Sequence, residues 1–222
     1  IVMSEQLNNL DFEIYLNEYR TIKEFRERCV KNIEESTRTY IQFIGFVIAS
    51  IAVLTINKLL AIVFIILAIT FIIGCIVYKS IVLSDISFII YTRKLNITRD
   101  VLNQFSNSGN YKFLLSIDKY HPPFDNLGSV GNKLSKDGIL FLIKIFNSAF
   151  LASGFYFFIY FVVLLCTNIE ETQRINIIFN SIMLPLCLTI FIVSIIIHES
   201  YNQGRLIKAR NDWDEFLSNQ NL

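Results

Sequence analysis

Residues 59–78 read LLAIVFIILAITFIIGCIVY, an uninterrupted stretch without a single charge. A helix needs about 20 mostly apolar residues to cross the roughly 30 Å hydrocarbon core of a bilayer. Three further apolar runs occupy residues 40–56, 139–166 and 176–197. The sequence therefore predicts an all-α integral membrane protein whose four transmembrane helices form two hairpins.

The composition agrees with a membrane protein. Hydrophobic residues make up 53% of the 222 residues and charged residues 18%, and the mean hydropathy is +0.49. Soluble domains are about 45–50% apolar even when glycine is counted, and about 25% charged. A disordered chain is excluded because disorder requires low hydrophobicity and high net charge. The net charge of +1 provides no overall field that would attract nucleic acid.

The lysine and arginine residues predict the orientation. Six precede the first run, eight lie between the second and third, three follow the fourth, and only one lies in each short connection within a hairpin. Cytoplasmic segments carry the excess of such residues. We therefore expect both termini and the long central connection to lie in the cytoplasm.

These runs divide the chain into five predicted segments. They are a cytoplasmic amphipathic helix over 1–39, a transmembrane hairpin over 40–78, a cytoplasmic helix and loop over 79–138, a second transmembrane hairpin over 139–197, and a cytoplasmic C-terminal helix over 198–222. The helical face of the last segment is predicted within 206–217. We expect the cytoplasmic segments to form a small helical layer rather than an independent domain.

The N-terminal helix has a narrow apolar stripe. Its members recur at helical spacing: Tyr15, Tyr19, Ile22, Cys29 and Ile33. The stripe either packs on cytoplasmic neighbours within the chain or forms a coiled-coil seam between subunits.

Groups for catalysis or metal binding are scarce. The chain has two histidines, neither beside an acid or cysteine at ligand spacing, and its four cysteines form no C-x-x-C pair. Hydrolase and metalloprotease motifs are absent. The sequence therefore predicts no enzyme activity, no metal site and no cofactor.

Polar residues follow one face of the fourth run, and the third run adds an asparagine. The pore-lining candidates are Asn176, Asn180, Met183, Cys187, Ser194 and Asn147, and His198 continues the same face. One interpretation is helix packing, since polar side chains hydrogen-bond across helix interfaces. The other is a pore lined by uncharged polar groups, which a single four-helix subunit could enclose only within a ring of copies.

Part of the chain resembles a known class of proteins. The residues that carry the resemblance are Tyr19-Arg20, the stretch EFRER at 24–28, the close hairpin, the stretch IIYTRKLN at 89–96, and Arg99-Asp100. This pattern, from Tyr15 to Phe105, is similar to small multi-pass membrane effectors of bacterial anti-phage defence systems, such as the Hailong-type effector. The resemblance implies an oligomeric inner-membrane channel gated by a nucleotide or oligonucleotide signal.

Such a signal would have to bind the cytoplasmic layer. The ligand-binding candidates are Arg93, Lys94, Arg99, Lys112, Lys119 and His121. Their alternative role is anchoring at the cytoplasmic face.

The leading hypothesis is thus a homo-oligomeric channel-type effector that dissipates ion gradients. One alternative is a non-conducting scaffold or signalling subunit with a protein partner. Another is an enzyme that binds a phosphate or lipid headgroup through Arg93, Lys94 and His121, although no nucleophile or acid–base pair supports it.

Overall fold

The computed structural model consists of four α-helices. They are α1 (Val2–Ile56), α2 (Leu60–Phe105), α3 (Lys133–Cys166) and α4 (Thr172–Asn219). The structure describes the backbone of residues 2–56, 59–105, 133–166 and 172–219, and the side chains of residues 12–56, 59–102, 138–165 and 179–219.

All four helices contain a segment that is long and apolar enough to cross a membrane. α1, α2 and α4 have 55, 46 and 48 residues, more than twice the length that a span needs. Each of these three helices therefore continues well beyond its apolar run. The prediction of an all-helical chain with four helices long and apolar enough to span a membrane is confirmed.

Helix α1 joins the amphipathic segment and the first apolar run without a break. No glycine or proline occurs before Gly45, so nothing interrupts its hydrogen bonds. Two ion pairs at i,i+4 support the charged half: Lys23 lies 3.9 Å from Glu27, and Arg28 lies 4.0 Å from Glu24. All four side chains are exposed, so each pair adds only about 0.3–0.5 kcal/mol.

The C-terminal segment differs from its prediction as a separate helix. Residues 198–219 are the end of α4, which runs unbroken from Thr172 and continues through Pro185. Gly204 lies in open space within the helix, and no proline occurs between residues 186 and 219. Nothing in this stretch stops a helix that has already formed, because propagation is far easier than nucleation.

The chain forms two compact units. The span unit comprises Glu35–Ile81 and Ser135–Arg205, and the end unit comprises Ile1–Glu34, Val82–Leu134 and Leu206–Leu222. In the span unit, Val63, Leu67 and Ile143 are buried, whereas Phe46 and Leu184 are about 70% exposed. An apolar exterior of this kind suits a lipid environment rather than water.

The end unit has its own core. Ile22, Cys29 and Ile33 of the predicted α1 stripe are buried there, and so are Leu206 and Trp213 of the predicted C-terminal face. Helix α2 contributes Val82, Ile86, Phe88, Ile89, Leu95 and Leu102 to this core, while its Ile90 and Ile97 are half-buried.

Candidate functional site: a buried polar cluster

Polar side chains from all four helices are present within the span unit. The polar cluster consists of Tyr40 on α1, Cys75 and Tyr78 on α2, Asn147 on α3 and His198 on α4. Asn147 is fully buried, and Tyr40, Tyr78 and His198 are buried as well. Buried polar groups are costly unless they are hydrogen-bonded, so the partners of each one matter.

Asn147 occupies the centre of the polar cluster. Its Oδ1 accepts a hydrogen bond from the hydroxyl of Tyr40. Its Nδ2 lies 3.5 Å from Nε2 of His198. One asparagine therefore connects α1 to α4, which are far apart in the sequence.

The contacts of His198 indicate which ring nitrogen carries hydrogen. Nδ1 lies 2.8 Å from the carbonyl oxygen of Ser194, which can only accept, so Nδ1 is the donor. Nε2 faces the amide of Asn147 and, at 3.9 Å, the thiol of Cys75, both of which can donate. This arrangement matches an imidazole that carries hydrogen on Nδ1 and accepts through the lone pair on Nε2.

Tyr78 holds the same part of α4 through two contacts. Its hydroxyl donates to the backbone carbonyl of His198 over 3.0 Å. Its ring meets the imidazole edge to face, with 4.9 Å between the centroids. The position of His198 is therefore determined by α2 as well as by α3.

A glycine makes this approach of helices sterically feasible. A Cβ atom at Gly74 would lie 2.7 Å from the Tyr40 hydroxyl and would overlap the side-chain amide of Asn147. Asn147 therefore packs directly against the backbone of α2, at a place where any side chain would exclude it. The position requires glycine for close approach and not for a special backbone angle.

An ion pair borders the polar cluster. Nζ of Lys144 lies 2.6 Å from Oε2 of Glu199, and Nε2 of Gln203 donates to Oε1 over 3.1 Å. The hydrogen bond from Lys144, and then that from Gln203, hold the pKa of Glu199 below its usual range. The lysine side chain is 15% exposed and the glutamate side chain 44%, so water screens the pair in part.

The predicted pore-lining face of α4 packs towards α3. Asn180 accepts a hydrogen bond from the Tyr156 hydroxyl over 2.8 Å, and the thiol of Cys187 lies 3.5 Å from the carbonyl oxygen of Ala152. Met183 and Ser194 are buried. Among the described side chains of this set, only that of Asn180 is exposed. The side chain of Asn176 lies outside the described residues.

The structure places three of the predicted ligand-binding cations against aromatic rings of the end unit. Arg93 lies 5.7 Å from the ring of Trp213, Lys94 lies 5.4 Å from Phe216, and Arg99 lies 5.6 Å from Tyr19. Arg93 is 4% exposed. Each ring attracts the cation above it, so these side chains have a structural role in packing. Lys112, Lys119 and His121 lie outside the described residues.

Sequence reasoning placed Asn147 and His198 on polar faces but missed Tyr40, Cys75 and Tyr78. Tyr40 begins one apolar run and Tyr78 ends another, where tyrosine is ordinary, and Cys75 is a small apolar residue within a run. The sequence therefore offers no signal for these three. Within the described part of the chain, no group of three or more histidine, cysteine, aspartate or glutamate side chains lies close enough to hold a metal ion.

Comparison of the chain with known protein families, curated proteins and solved structures finds no match.

Proposed function

We propose that the chain is a channel-type membrane subunit that works as a homo-oligomer and dissipates ion gradients when it opens. The observation that supports this most directly is the line of polar groups along α4, from Asn180 to His198. Eighteen residues of helix rise about 27 Å, close to the roughly 30 Å thickness of the hydrocarbon core. Polar groups across most of a membrane's thickness are costly and mark transport pathways.

Helix α3 supplies partners along the whole of this line. Tyr156 meets Asn180 at one end, Ala152 meets Cys187 in the middle, and Asn147 meets His198 at the other end. All of these groups are uncharged or have a neutral form. A pathway between α3 and α4 would therefore present dipoles rather than fixed charges, which suits ion passage without strong selectivity.

In the proposal, the arrangement described above is the closed state. Asn147 has no exposed surface and bonds within the chain, so no water reaches it. Opening requires that α3 and α4 separate along the polar line so that water replaces these internal hydrogen bonds. The neighbouring copies in the oligomer would then complete the wall of the pore.

The biological setting of the proposal comes from the resemblance to anti-phage effectors. The resemblance implies a channel in a bacterial inner membrane, opened by a nucleotide or oligonucleotide signal. The distribution of lysine and arginine supports both termini in the cytoplasm. The contacts of Arg93, Lys94 and Arg99 with aromatic rings weaken their candidacy as ligand contacts. Lys112, Lys119 and His121 are the remaining candidates.

A planar-bilayer recording of the purified protein tests the proposal. Asn180→Leu removes the exposed end of the polar line while leaving the buried contacts intact, and it should lower the unitary conductance. Thr189→Val is the matched control, because within the described residues its hydroxyl bonds only to the carbonyl of Pro185 on its own helix. Equal conductance in well-assembled N180L and T189V proteins would contradict pore lining at Asn180.

The second candidate function is a non-conducting scaffold or signalling subunit with a protein partner. It is favoured by the satisfied hydrogen bonds of Asn147 and His198 within one chain, which also serve simple helix packing. This alternative predicts no ion flux in pure protein and a partner that copurifies in a constant ratio. Ion flux from pure protein would exclude it.

A further inference from the structure

A groove lies between α2 and α4 in the span unit. Its volume is about 430 Å³, within the range of about 300–1,000 Å³ that is usual for ligand sites. Phe71 on α2, Leu151 on α3 and Ile190, Val193 and Ile197 on α4 line it. The groove is only partly enclosed, and its wall is almost wholly apolar, so it suits an apolar ligand.

The two ends of the groove differ in polarity. Along α4 it extends from Thr189 to Tyr201, a rise of about 18 Å. Its first part lies inside the fourth apolar run, whereas Tyr201 lies beyond the end of that run. On α2 it ends at Lys79, the first charge after the apolar run 59–78. The groove therefore passes from hydrocarbon level to headgroup level, with a cation at the polar end.

The charge at that end is available to a ligand. Lys79 is exposed, and no described carboxylate forms an ion pair with it. The carboxylate of Glu199, which follows the groove residue His198 on α4, is bound by Lys144 and Gln203 instead. An anionic group beside Lys79 would therefore meet an unneutralised cation.

We propose that this groove binds one anionic phospholipid, with an acyl chain against Phe71, Val193 and Ile197 and the phosphate beside Lys79. A phospholipid has the same order of apolar and charged parts as the groove. Helices that can cross a bilayer expose such a groove directly to lipid, and a juxtamembrane lysine favours anionic over zwitterionic headgroups. Neither the channel nor the scaffold function is needed for this site.

Fluorescence quenching by brominated lipids tests the proposal in the full chain. Phe71→Trp places a reporter in the groove, and the signal of Trp213, the sole native tryptophan, is subtracted with the unmodified protein. The protein is reconstituted in phosphatidylcholine vesicles that contain a small fraction of brominated phosphatidylglycerol or brominated phosphatidylcholine. Ile72→Trp, whose native side chain is exposed outside the groove, is the matched control.

We expect brominated phosphatidylglycerol to quench Phe71→Trp about fivefold more effectively than brominated phosphatidylcholine, the preference that one lysine provides. The ratio should be near one for Ile72→Trp, and Lys79→Gln should bring the ratio at position 71 down to that of the control. A ratio near one at position 71, or a preference that survives Lys79→Gln, would overturn the proposal. If Phe71→Trp does not yield stable protein, Ile190→Trp carries the same comparison.

Discussion

Replacing Gly74 by alanine should disrupt the polar cluster more than the same change at any other described glycine. The new Cβ would overlap the amide of Asn147 and lie 2.7 Å from the hydroxyl of Tyr40. Overpacking a tight interface costs about 1–3 kcal/mol. Displacing Asn147 also breaks its contacts with Tyr40 and His198, and a buried polar group that loses its partner costs about 1–3 kcal/mol.

The substitution also has a favourable part. Alanine is better than glycine inside a helix by up to about 1 kcal/mol. The balance is a loss of about 3 kcal/mol in the free energy of unfolding. For a chain of this size, such a loss lowers the melting temperature by roughly 6–12 °C. Equilibrium unfolding in mixed micelles, followed by circular dichroism, measures the change.

Gly45→Ala is the matched control, since Gly45 lies in an apolar helical run but a Cβ there would have no neighbour within 4 Å. It should leave the stability unchanged or raise it. In the double variant Gly74→Ala/Asn147→Ala the overlapping amide is gone. The stability losses of the two single variants, added together, should therefore exceed the loss measured for the double variant by at least about 1 kcal/mol. A Gly74→Ala protein as stable as Gly45→Ala, or strict additivity in the cycle, would refute the steric argument.

Two further predictions concern charged side chains. Because the folded-state pKa of Glu199 is lowered, the stabilisation by Lys144 is present above the unfolded pKa of about 4.5 and is lost as the pH falls through the folded pKa. The accompanying loss in the free energy of unfolding should be under about 1 kcal/mol. A Glu199→Gln protein that retains the same acid dependence would contradict this prediction. In the end unit, a guanidinium nitrogen of Arg99 donates to the Tyr19 hydroxyl over 3.1 Å. Tyr19→Phe should therefore lower the free energy of unfolding by about 0.5–1.5 kcal/mol, and Tyr19→Leu should lower it further because the ring contact is also lost. Equal unfolding free energies of the two variants would argue against a role for the ring.

The helices and their apolar segments were predictable from local patterns. A run such as 59–78 indicates a membrane span by its own length and composition, and the face of Leu206, Ala209 and Trp213 follows from helical spacing. The continuity of α4 was not predicted, because the sequence of 198–205 weakly suggests a connection between two helices. The same residues contain nothing that terminates a helix, and α4 runs through them.

The polar cluster was predictable only in part. Asn147 and His198 were visible as polar residues in apolar runs, and their interest follows from the cost of burying them. Their mutual contact, and those with Tyr40 and Cys75, join residues that are 51 to 123 positions apart. No local pattern specifies such pairs. The role of Gly74 was equally hidden, since it depends on which side chain another helix brings to that position.

The use of all four helices in one hydrogen-bonded cluster has a consequence for how the protein is made. Transmembrane helices first insert as separate units and associate afterwards. Until α3 and α4 have entered the membrane, the hydroxyl of Tyr40 lacks the amide of Asn147, and neither half of the chain alone can satisfy its polar groups. A half-synthesised or truncated chain thus displays unpaired hydrogen-bonding groups to lipid. The polar cluster can therefore form only after the second pair of helices has inserted beside the first.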